Sequence, residues 1–138
     1  MILLDTNVLS ALMQRQPDPA VMAWLNEQPA ERIWITSITV FEARYGIEVL
    51  ADSQRKTELT QRFEALLQMD LENRIAVFDP RAAACAAPLA AERKARGRPV
   101  DVRDTLIAGI AIARNATLAT RNLKHFEDLP TPVVSPWP

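Results

Sequence analysis

The sequence predicts an α/β fold, a three-layer α/β/α domain with a mostly parallel central sheet of four to five strands. Short continuous apolar runs, typical of strands buried on both faces, alternate along the chain with longer segments whose apolar residues recur at helical spacing. The chain has 138 residues, of which 49% are hydrophobic and 24% are charged, the balance of a globular protein. We therefore expect residues 1–138 to form a single domain.

Residues 1–35 contain two predicted strands and two predicted helices. Ile2-Leu3-Leu4 is a short apolar run and predicts the first strand. The helix that follows should end at Pro17-Asp18-Pro19, and a second helix should run from about Pro19 to Gln28. Ile33-Trp34-Ile35 predicts the second strand.

Two longer helices are expected next. Ser37 or Thr39 can cap the third helix. Its apolar face consists of Val40, Ala43, Ile47 and Leu50. Ser53 is expected to cap a fourth helix that reaches Met69.

The second half of the chain repeats the alternation of strand and helix. Ile75-Ala76-Val77-Phe78 predicts a third strand. Pro80 suits the first turn of the alanine-rich helix that follows, and Gly97 suits its end. We expect a further helix from Asp104 to Arg114, a fourth strand at Thr117-Leu118-Ala119-Thr120 and a short fifth strand at Val133-Val134.

The composition excludes several classes of site. Cys85 is the one cysteine, which rules out a disulfide framework and a thiolate zinc site within the chain. The net charge of −1 provides no general basic field, so any contact with nucleic acid must be local. The first five residues lack the basic region of a signal peptide, and no apolar run approaches the ~20 residues of a membrane span. We expect no membrane association and a cytoplasmic location.

Polar side chains follow the predicted strands. In a parallel sheet the ligand site lies beyond the carboxyl ends of the strands, at a topological switch point. Asp5 directly follows the first strand, and Glu42 lies about one turn into the helix after the second strand. Thr120 and Asn122 lie at the end of the fourth strand, and Asp104 begins the helix that precedes it. The sequence therefore predicts that these residues gather at one edge of the sheet.

Each acid also has an ordinary structural explanation. Asp5 could cap the helix that begins at Thr6, and Glu42 could be a solvated helix residue. Asp101 and Asp104 could both stabilise a helix N-terminus through capping and the helix dipole. Their convergence at one sheet edge is what favours a joint role.

Three carboxylates in one cleft repel each other, and a hard divalent cation such as Mg²⁺ or Mn²⁺ compensates that repulsion. Such an ion acidifies a bound water and stabilises charge on a phosphoryl oxygen, as phosphodiester hydrolysis requires.

His125 is the one histidine in the sequence, which excludes an acid–base mechanism that uses two histidines. We expect His125 on the surface or lightly packed. The three glycines, Gly46, Gly97 and Gly109, lie too far apart for a phosphate-binding loop.

Four motifs surround the acidic residues. They are Leu3-Leu4-Asp5-Thr6-Asn7-Val8-Leu9-Ser10, Phe41-Glu42-Ala43-Arg44-Tyr45-Gly46-Ile47, Gly97-Arg98-Pro99 leading to Asp104-Thr105-Leu106-Ile107-Ala108, and Leu118-Ala119-Thr120-Arg121-Asn122-Leu123-Lys124-His125-Phe126. In this order they resemble the motifs of PIN-domain toxins of the VapC and FitB group. The resemblance spans almost the whole chain, and its first, second and fourth motifs together are fairly specific.

The resemblance implies an Mg²⁺-dependent ribonuclease, the toxin of a type II toxin–antitoxin pair, which forms a homodimer and is neutralised by a small VapB-like antitoxin. It also implies that the acidic catalytic and metal-binding residues are Asp5, Glu42 and Asp104. The hydroxyls of Thr6 and Thr120 would support them.

The fourth motif departs from the family pattern, because Asn122 stands where many PIN domains have an aspartate. An amide brings no charge, so the number of metal ions, one or two, stays undetermined.

Further residues near the motifs have secondary roles in this interpretation. Asp101 ranks below Asp104 as a metal ligand. RNA binding is expected to depend on a local basic set that flanks the motifs, namely Arg98, Arg103, Arg121 and Lys124. Trp24, Phe41 and Tyr45 are candidates for an apolar dimer or antitoxin surface.

Two other functions are compatible with the sequence. Asp5-Thr6-Asn7 at a strand end could belong to a haloacid-dehalogenase-type phosphatase, but that family has a second aspartate where this chain has Asn7. The other alternative is a non-catalytic PIN-like module that acts only in antitoxin-dependent DNA-binding regulation. Intact Asp5, Glu42 and Asp104 count against it.

Overall fold

The computed structural model describes residues 1–98 and 100–138 of the chain. Pro99, the last residue of the Gly97-Arg98-Pro99 segment in the third motif, lies outside the described residues. The strands are β1 (Ile2–Leu4), β2 (Ile33–Thr36), β3 (Ile75–Ala76), β4 (Thr117–Ala119) and β5 (Val133–Val134). The α-helices are α1 (Thr6–Leu12), α2 (Pro19–Asn26), α3 (Ser37–Glu48), α4 (Gln54–Ala65), α5 (Pro80–Ala95) and α6 (Val102–Ala113).

The five strands form one parallel sheet in the order β3-β2-β1-β4-β5. Ile2 of β1 is in register with Ile33 of β2 on one side and with Thr117 of β4 on the other. The chain moves outward from β1 in one direction through β2 and β3, then returns to the other side of β1 with β4. The carboxyl ends of β1 and β4 are therefore the topological switch point, where α/β sheets bind ligands. The predicted α/β class and strand count are confirmed.

The sheet has a hydrophobic core on each face. Ile2 and Leu4 face a cluster with Val8 of α1 and Phe63 of α4, whereas Leu3 faces the opposite cluster. That second cluster is built largely from α5, α6 and the end of the chain, with members that include Ala82, Leu89, Ile107, Ile110 and Phe126. Because consecutive β1 side chains point to opposite faces and both faces are covered, the whole strand is apolar.

Two helices begin earlier than the sequence suggested. The cap of α3 is Thr36, the last residue of β2, whose hydroxyl accepts from the backbone N of Thr39 at 3.0 Å. The predicted caps, Ser37 and Thr39, are wrong because both lie inside the first turn of that helix. The cap of α6 is Asp101, whose Oδ1 accepts from the backbone N of Arg103 at 2.8 Å. The helix predicted to start at Asp104 therefore already includes that residue in its first turn.

One predicted helix has an irregular end, and one predicted strand is shorter than expected. Ser53 caps α4 as expected, but its regular part ends at Ala65 and a π-helical stretch, Leu66–Asp70, completes it. Strand β3 ends at Ala76 because the next residues leave the sheet, where the backbone N of Phe78 donates to Ser37 Oγ at 3.0 Å. Among the described residues, no helix is long and apolar enough to cross a membrane.

Helices α5 and α6 pack closely because Gly109 of α6 faces two alanines of α5. A Cβ atom at Gly109 would lie 2.6 Å from Ala86 Cβ and 2.7 Å from the Ala82 carbonyl oxygen. Helix α5 has Pro80 as its first residue and Gly97, with φ of 69°, just beyond its end, as the sequence predicted. The missing side chain at Gly109 thus sets the distance between these two helices.

The glycines of α3 and α6 should respond in opposite ways to alanine. A Cβ atom at Gly46 would meet nothing within 4 Å. Gly46→Ala should therefore raise the free energy of unfolding by about 0.5–1 kcal/mol, through helix propensity alone. Gly109→Ala should lower it by about 1–3 kcal/mol, because the helices must move apart. Urea denaturation measures both, and equal stabilities for the two variants would contradict the close packing.

Candidate active site

Asp5 is fixed at the switch point by contacts with the ends of β1 and β4. Its backbone N donates to the carbonyl oxygen of Ala119 in β4 at 2.8 Å. Its side chain is buried, with the residue only 4% exposed. Oδ1 accepts from the backbone N of Thr6 at 2.8 Å, and Oδ2 accepts from Thr120 Oγ1 at 2.7 Å. The carboxylate is therefore held in one orientation by the residues that follow β1 and β4.

Glu42 reaches the same place from α3. Thr6 Oγ1 donates to Glu42 Oε1 at 2.7 Å, so one threonine bridges Asp5, through its backbone, and Glu42, through its hydroxyl. The Thr6 hydroxyl also lies 3.3 Å from Thr39 Oγ1, which is 3.2 Å from the capping hydroxyl of Thr36. A chain of hydroxyls thus connects the ends of β1 and β2 below the carboxylates.

Asp104 and Asp101 differ in what surrounds them. Asp104 lies in the first turn of α6 with a side chain 20% exposed, and its Oδ2 is 3.0 Å from Nδ1 of His125. The side chain of Asp101 is 48% exposed and pairs with Arg103 at 3.2 Å. The Arg103 guanidinium bonds hold the pKa of Asp101 below its ordinary value. Arg103 also lies 3.6 Å from Glu42, so Asp101 approaches the other acids only through this arginine.

The pKa of Asp5 reflects both its burial and the nearby charges of Glu42 and Asp104. Burial raises the pKa of Asp5 from 3.8 to about 6. The hydrogen bonds from Thr120 and Thr6 oppose that rise, and the negative charges of Asp104 and Glu42 add to it. A carboxylate that is destabilised by burial and by two like charges is the group that a cation would stabilise.

The donor set fits a hard divalent cation. The three acids offer oxygen ligands and no thiolate, which suits Mg²⁺ or Mn²⁺. Among the described residues, no three histidine, cysteine or carboxylate side chains already stand together as a ready set of metal ligands. Glu42 is bonded to Thr6, and Asp104 faces His125. A magnesium ion retains several waters and needs only one or two direct carboxylates, so this arrangement is compatible with it.

The asparagines near the site act in different ways. Asn7 was not among the predicted site residues, yet its Nδ2 donates to Asp5 Oδ2 at 3.3 Å and its Oδ1 accepts from the backbone N of Arg121 at 3.1 Å. Asn122 is exposed, and its backbone N donates to Thr120 Oγ1 at 3.0 Å. The structure thus connects Asn122 to Asp5 through its main chain and Thr120. The position of Asn7 directly after Asp5 and Thr6 was the available signal for its role.

The four predicted basic residues occupy different positions. Arg103 lies against Asp101 and Glu42, at the acids themselves. Arg121 stacks on Trp137 with its guanidinium carbon 4.8 Å from the ring centroid. Arg98 donates to the carbonyl oxygen of Lys124 at 2.8 Å, and Lys124 itself is exposed. Arg103 is thus the member of the predicted set that contacts the acidic residues.

Arg93 is a buried residue that sequence reasoning missed. It lies in α5, is 3% exposed and forms a bidentate pair with Asp128, at 2.9 and 2.8 Å. It also donates to Thr105 Oγ1 and to the carbonyl oxygen of His125, at 2.8 and 2.9 Å. Arg93 therefore fixes the segment that places His125 beside Asp104. No local pattern around Arg93 distinguishes it from the exposed charges of the same helix.

The raised pKa of Asp5 gives a test by pH. The folded protein holds the Asp5 proton up to about pH 6, whereas the unfolded chain releases it near 3.8. Protonated Asp5 thus stabilises the fold at low pH, and this contribution is lost as the pH rises through 6. Asp5→Asn removes the ionisation, so at pH 8 in EDTA the variant should be the more stable protein, by up to about 3 kcal/mol.

Urea denaturation at pH 4, 6 and 8 measures this difference, which should shrink towards pH 4. Asp70→Asn, at an exposed position, is the matched control and should show no such trend. A stability difference for Asp5→Asn that is the same at all three pH values would contradict the effect of burial.

Comparison with known proteins identifies relatives over nearly the whole chain. The model of the PIN domain family matches residues 2–131. The chain is 36% identical over 137 residues to the VapC ribonuclease Y4jK of Sinorhizobium fredii, covering 99% of this chain and 98% of that protein. It is 35% identical over 137 residues to the toxin FitB of Neisseria gonorrhoeae, covering 99% of each.

Solved structures resemble the whole fold. The structure of FitAB bound to the IR36 DNA fragment matches with a TM-score of 0.89 and 35% identity, over 100% of this chain and 96% of that one. A toxin–antitoxin complex from Klebsiella pneumoniae matches with a TM-score of 0.73 and 26% identity, over 99% of this chain and 98% of that one. Because the family model and both relatives span nearly the whole chain, the protein belongs to the PIN-domain family, as its four sequence motifs predicted.

Proposed function

We propose that this protein is a metal-dependent endoribonuclease, the toxin of a type II toxin–antitoxin pair, with residues 1–138 forming one PIN domain. The observation that carries the proposal is the placement of Asp5 at the switch point, within the field of Glu42 and Asp104. The chain shares this fold and over a third of its residues with a VapC ribonuclease. Nucleases of this family depend on a metal ion.

Asp5, Glu42 and Asp104 are the residues that would hold the ion, and we propose Mg²⁺, with Mn²⁺ as a substitute. When bound, the ion supplies an acidified water and charge stabilisation at a phosphoryl oxygen. Thr6 and Thr120 orient the Asp5 carboxylate and keep both of its oxygens hydrogen-bonded. The guanidinium of Arg103, next to Glu42, is placed to bind an RNA phosphate that approaches the acids.

The partners that we propose are RNA, a VapB-like antitoxin and a second copy of the chain. The dimer proposal is supported by Phe41 and Tyr45, which are 58% and 55% exposed and stack at 6.1 Å between ring centroids. Trp24 does not belong to this surface, because it packs against the core. We place the protein in the cytoplasm, where its RNA substrate is found.

A second role is supported by the DNA-bound relative. FitAB was solved on a DNA fragment, and its likeness covers the whole chain. We propose that this protein, together with its antitoxin, also takes part in DNA-binding regulation. A phosphatase of the haloacid dehalogenase type is not supported, because Asn7 is used in holding Asp5 and Arg121.

The nuclease proposal is tested by cleavage of single-stranded RNA with Mg²⁺ and with EDTA. The protein should cut RNA with Mg²⁺, lose activity in EDTA and recover it with Mn²⁺. Asp5→Asn should reduce the rate at least ~100-fold, since it removes a preorganised charge at the reacting centre. Asp70→Asn serves as the control at wild-type rate. If correctly folded Asp5→Asn cleaves RNA at the wild-type rate, the assignment of Asp5 to the active site is wrong. If the wild-type protein is inactive but binds DNA together with its antitoxin, the purely regulatory role is favoured.

Asp104 and Asp101 should differ strongly in the same assay. Asp104→Asn should lower the rate at least ~100-fold, because the charge lies within reach of Asp5. Asp101→Asn keeps a capping side chain and should change the rate less than about fivefold, which corresponds to ~1 kcal/mol of barrier. Equal losses in the two variants would mean that both carboxylates bind metal, and a two-metal site would replace the present proposal.

A further inference from the structure

A polar groove begins at the acidic centre and runs away from it between α1, α3 and α4. Its volume is about 480 Å³, and Thr6 and Glu42 form the end nearest the acids. The remaining lining residues are Ser10, Met13, Gln14, Arg15, Ala43, Gly46, Ile47, Arg55, Glu58, Leu59 and Arg62.

Three arginines line this groove. Arg15 pairs with Glu58 at 3.1 Å, and Arg62 donates to the carbonyl oxygen of Met13 at 2.9 Å. Arg55 is exposed in the first turn of α4, and within the described part of the chain it has no ion-pair partner. Away from Glu42, the groove therefore carries three positive charges against the single negative charge of Glu58.

The bottom of the groove is apolar and open. Met13, Ile47 and Leu59 are among its lining residues. Gly46 lies one helical turn after Glu42, and a Cβ atom there would meet nothing within 4 Å. Gly46 therefore borders open space in the groove, which a larger side chain at this position would occupy.

We propose that this groove binds the nucleotide of a single-stranded RNA that adjoins the scissile phosphodiester. The inference rests on the proposed ribonuclease function and adds a substrate subsite to it. The base packs on Met13, Ile47 and Leu59, and the next phosphate along the strand lies against Arg55. Bases that are turned out of a strand pack against aromatic or apolar side chains, and cations bind the phosphates along the backbone.

Charge and size favour RNA as the occupant. A chain of net charge −1 binds phosphates only where arginines are concentrated, and this groove concentrates three of them. Its volume lies within the range of about 300–1,000 Å³ of small-molecule sites, which is sufficient for a nucleotide. The end of the groove at Thr6 and Glu42 adjoins the acids, so a nucleotide in the groove would lie next to the phosphodiester that is cleaved.

Gly46→Leu tests the base subsite by filling the groove. RNA affinity is measured by fluorescence anisotropy in the inactive Asp5→Asn background, with a labelled single-stranded RNA of randomised sequence. Gly46→Leu should weaken binding about 5- to 100-fold relative to Gly46→Ala, the range expected for the loss of one base contact. Both substitutions improve helix propensity, so both proteins should melt above the parent, and weaker binding cannot be attributed to unfolding.

Arg55→Glu tests the phosphate subsite by charge. The variant should bind the same RNA at least about fivefold more weakly, and the slope of log affinity against log salt should flatten by about 0.7 for each lost phosphate contact. Arg32→Glu makes the same change of charge at an exposed position before β2, at the opposite end of the strands, and should leave both values unchanged.

The outcomes separate this inference from the proposed function. If the wild type cleaves RNA with Mg²⁺ but Gly46→Leu and Arg55→Glu bind and cleave RNA like their controls, the groove is not a nucleotide subsite and the ribonuclease proposal stands. If both variants bind RNA normally and lose only the antitoxin, measured by pull-down, the groove belongs to the protein partner and the inference is overturned. If the wild type binds RNA through Arg55 but cleaves none with any metal, the subsite stands and the ribonuclease proposal fails.

Discussion

The structure depends on the burial of one carboxylate, that of Asp5, at the carboxyl end of the central strand. A buried charge is costly unless it is hydrogen-bonded and compensated. Here both oxygens accept hydrogen bonds, from the backbone of Thr6 and from the hydroxyl of Thr120. These bonds require β1 and β4 to be adjacent and in register, which the pairing of Leu4 with Ala119 provides. The order of the strands therefore determines the geometry of the candidate site.

Around Asp5, the neighbouring acids are held at a distance by polar partners. Glu42 is bonded to Thr6 and lies near Arg103, whereas Asp104 faces His125. The pKa of Asp5 rises only to about 6 despite its burial, because the Thr120 hydroxyl and the Thr6 backbone donate hydrogen bonds to its carboxylate. A cation at the site would compete with the present contacts of Glu42 and Asp104. The carboxylates are therefore held near the proposed position of the metal ion, although Glu42 and Asp104 are bonded to other side chains.

The segment after β4 is positioned from a distance by Arg93. The buried guanidinium of Arg93 donates hydrogen bonds to Asp128, to Thr105 and to the carbonyl oxygen of His125. Bidentate arginine–carboxylate pairs fix orientation as well as position. The helix that packs most closely on α6 therefore also determines where His125 stands relative to Asp104. Arg93 thus connects α5, which packs on α6 at Gly109, to the segment that carries His125.

The sequence by itself determined the α/β class, the five strands and the placement of Asp5, Glu42, Thr6 and Thr120 after strands, because these follow from local periodicity and from the rule for parallel sheets. It did not determine that Thr36 rather than Ser37 caps α3, since both residue types cap helices and the local preference favours serine. Only the tertiary structure decided the contact of His125 with Asp104, the role of Arg93 and the groove beside Gly46. Each joins residues far apart in the chain, and such contacts depend on packing, which no local pattern records.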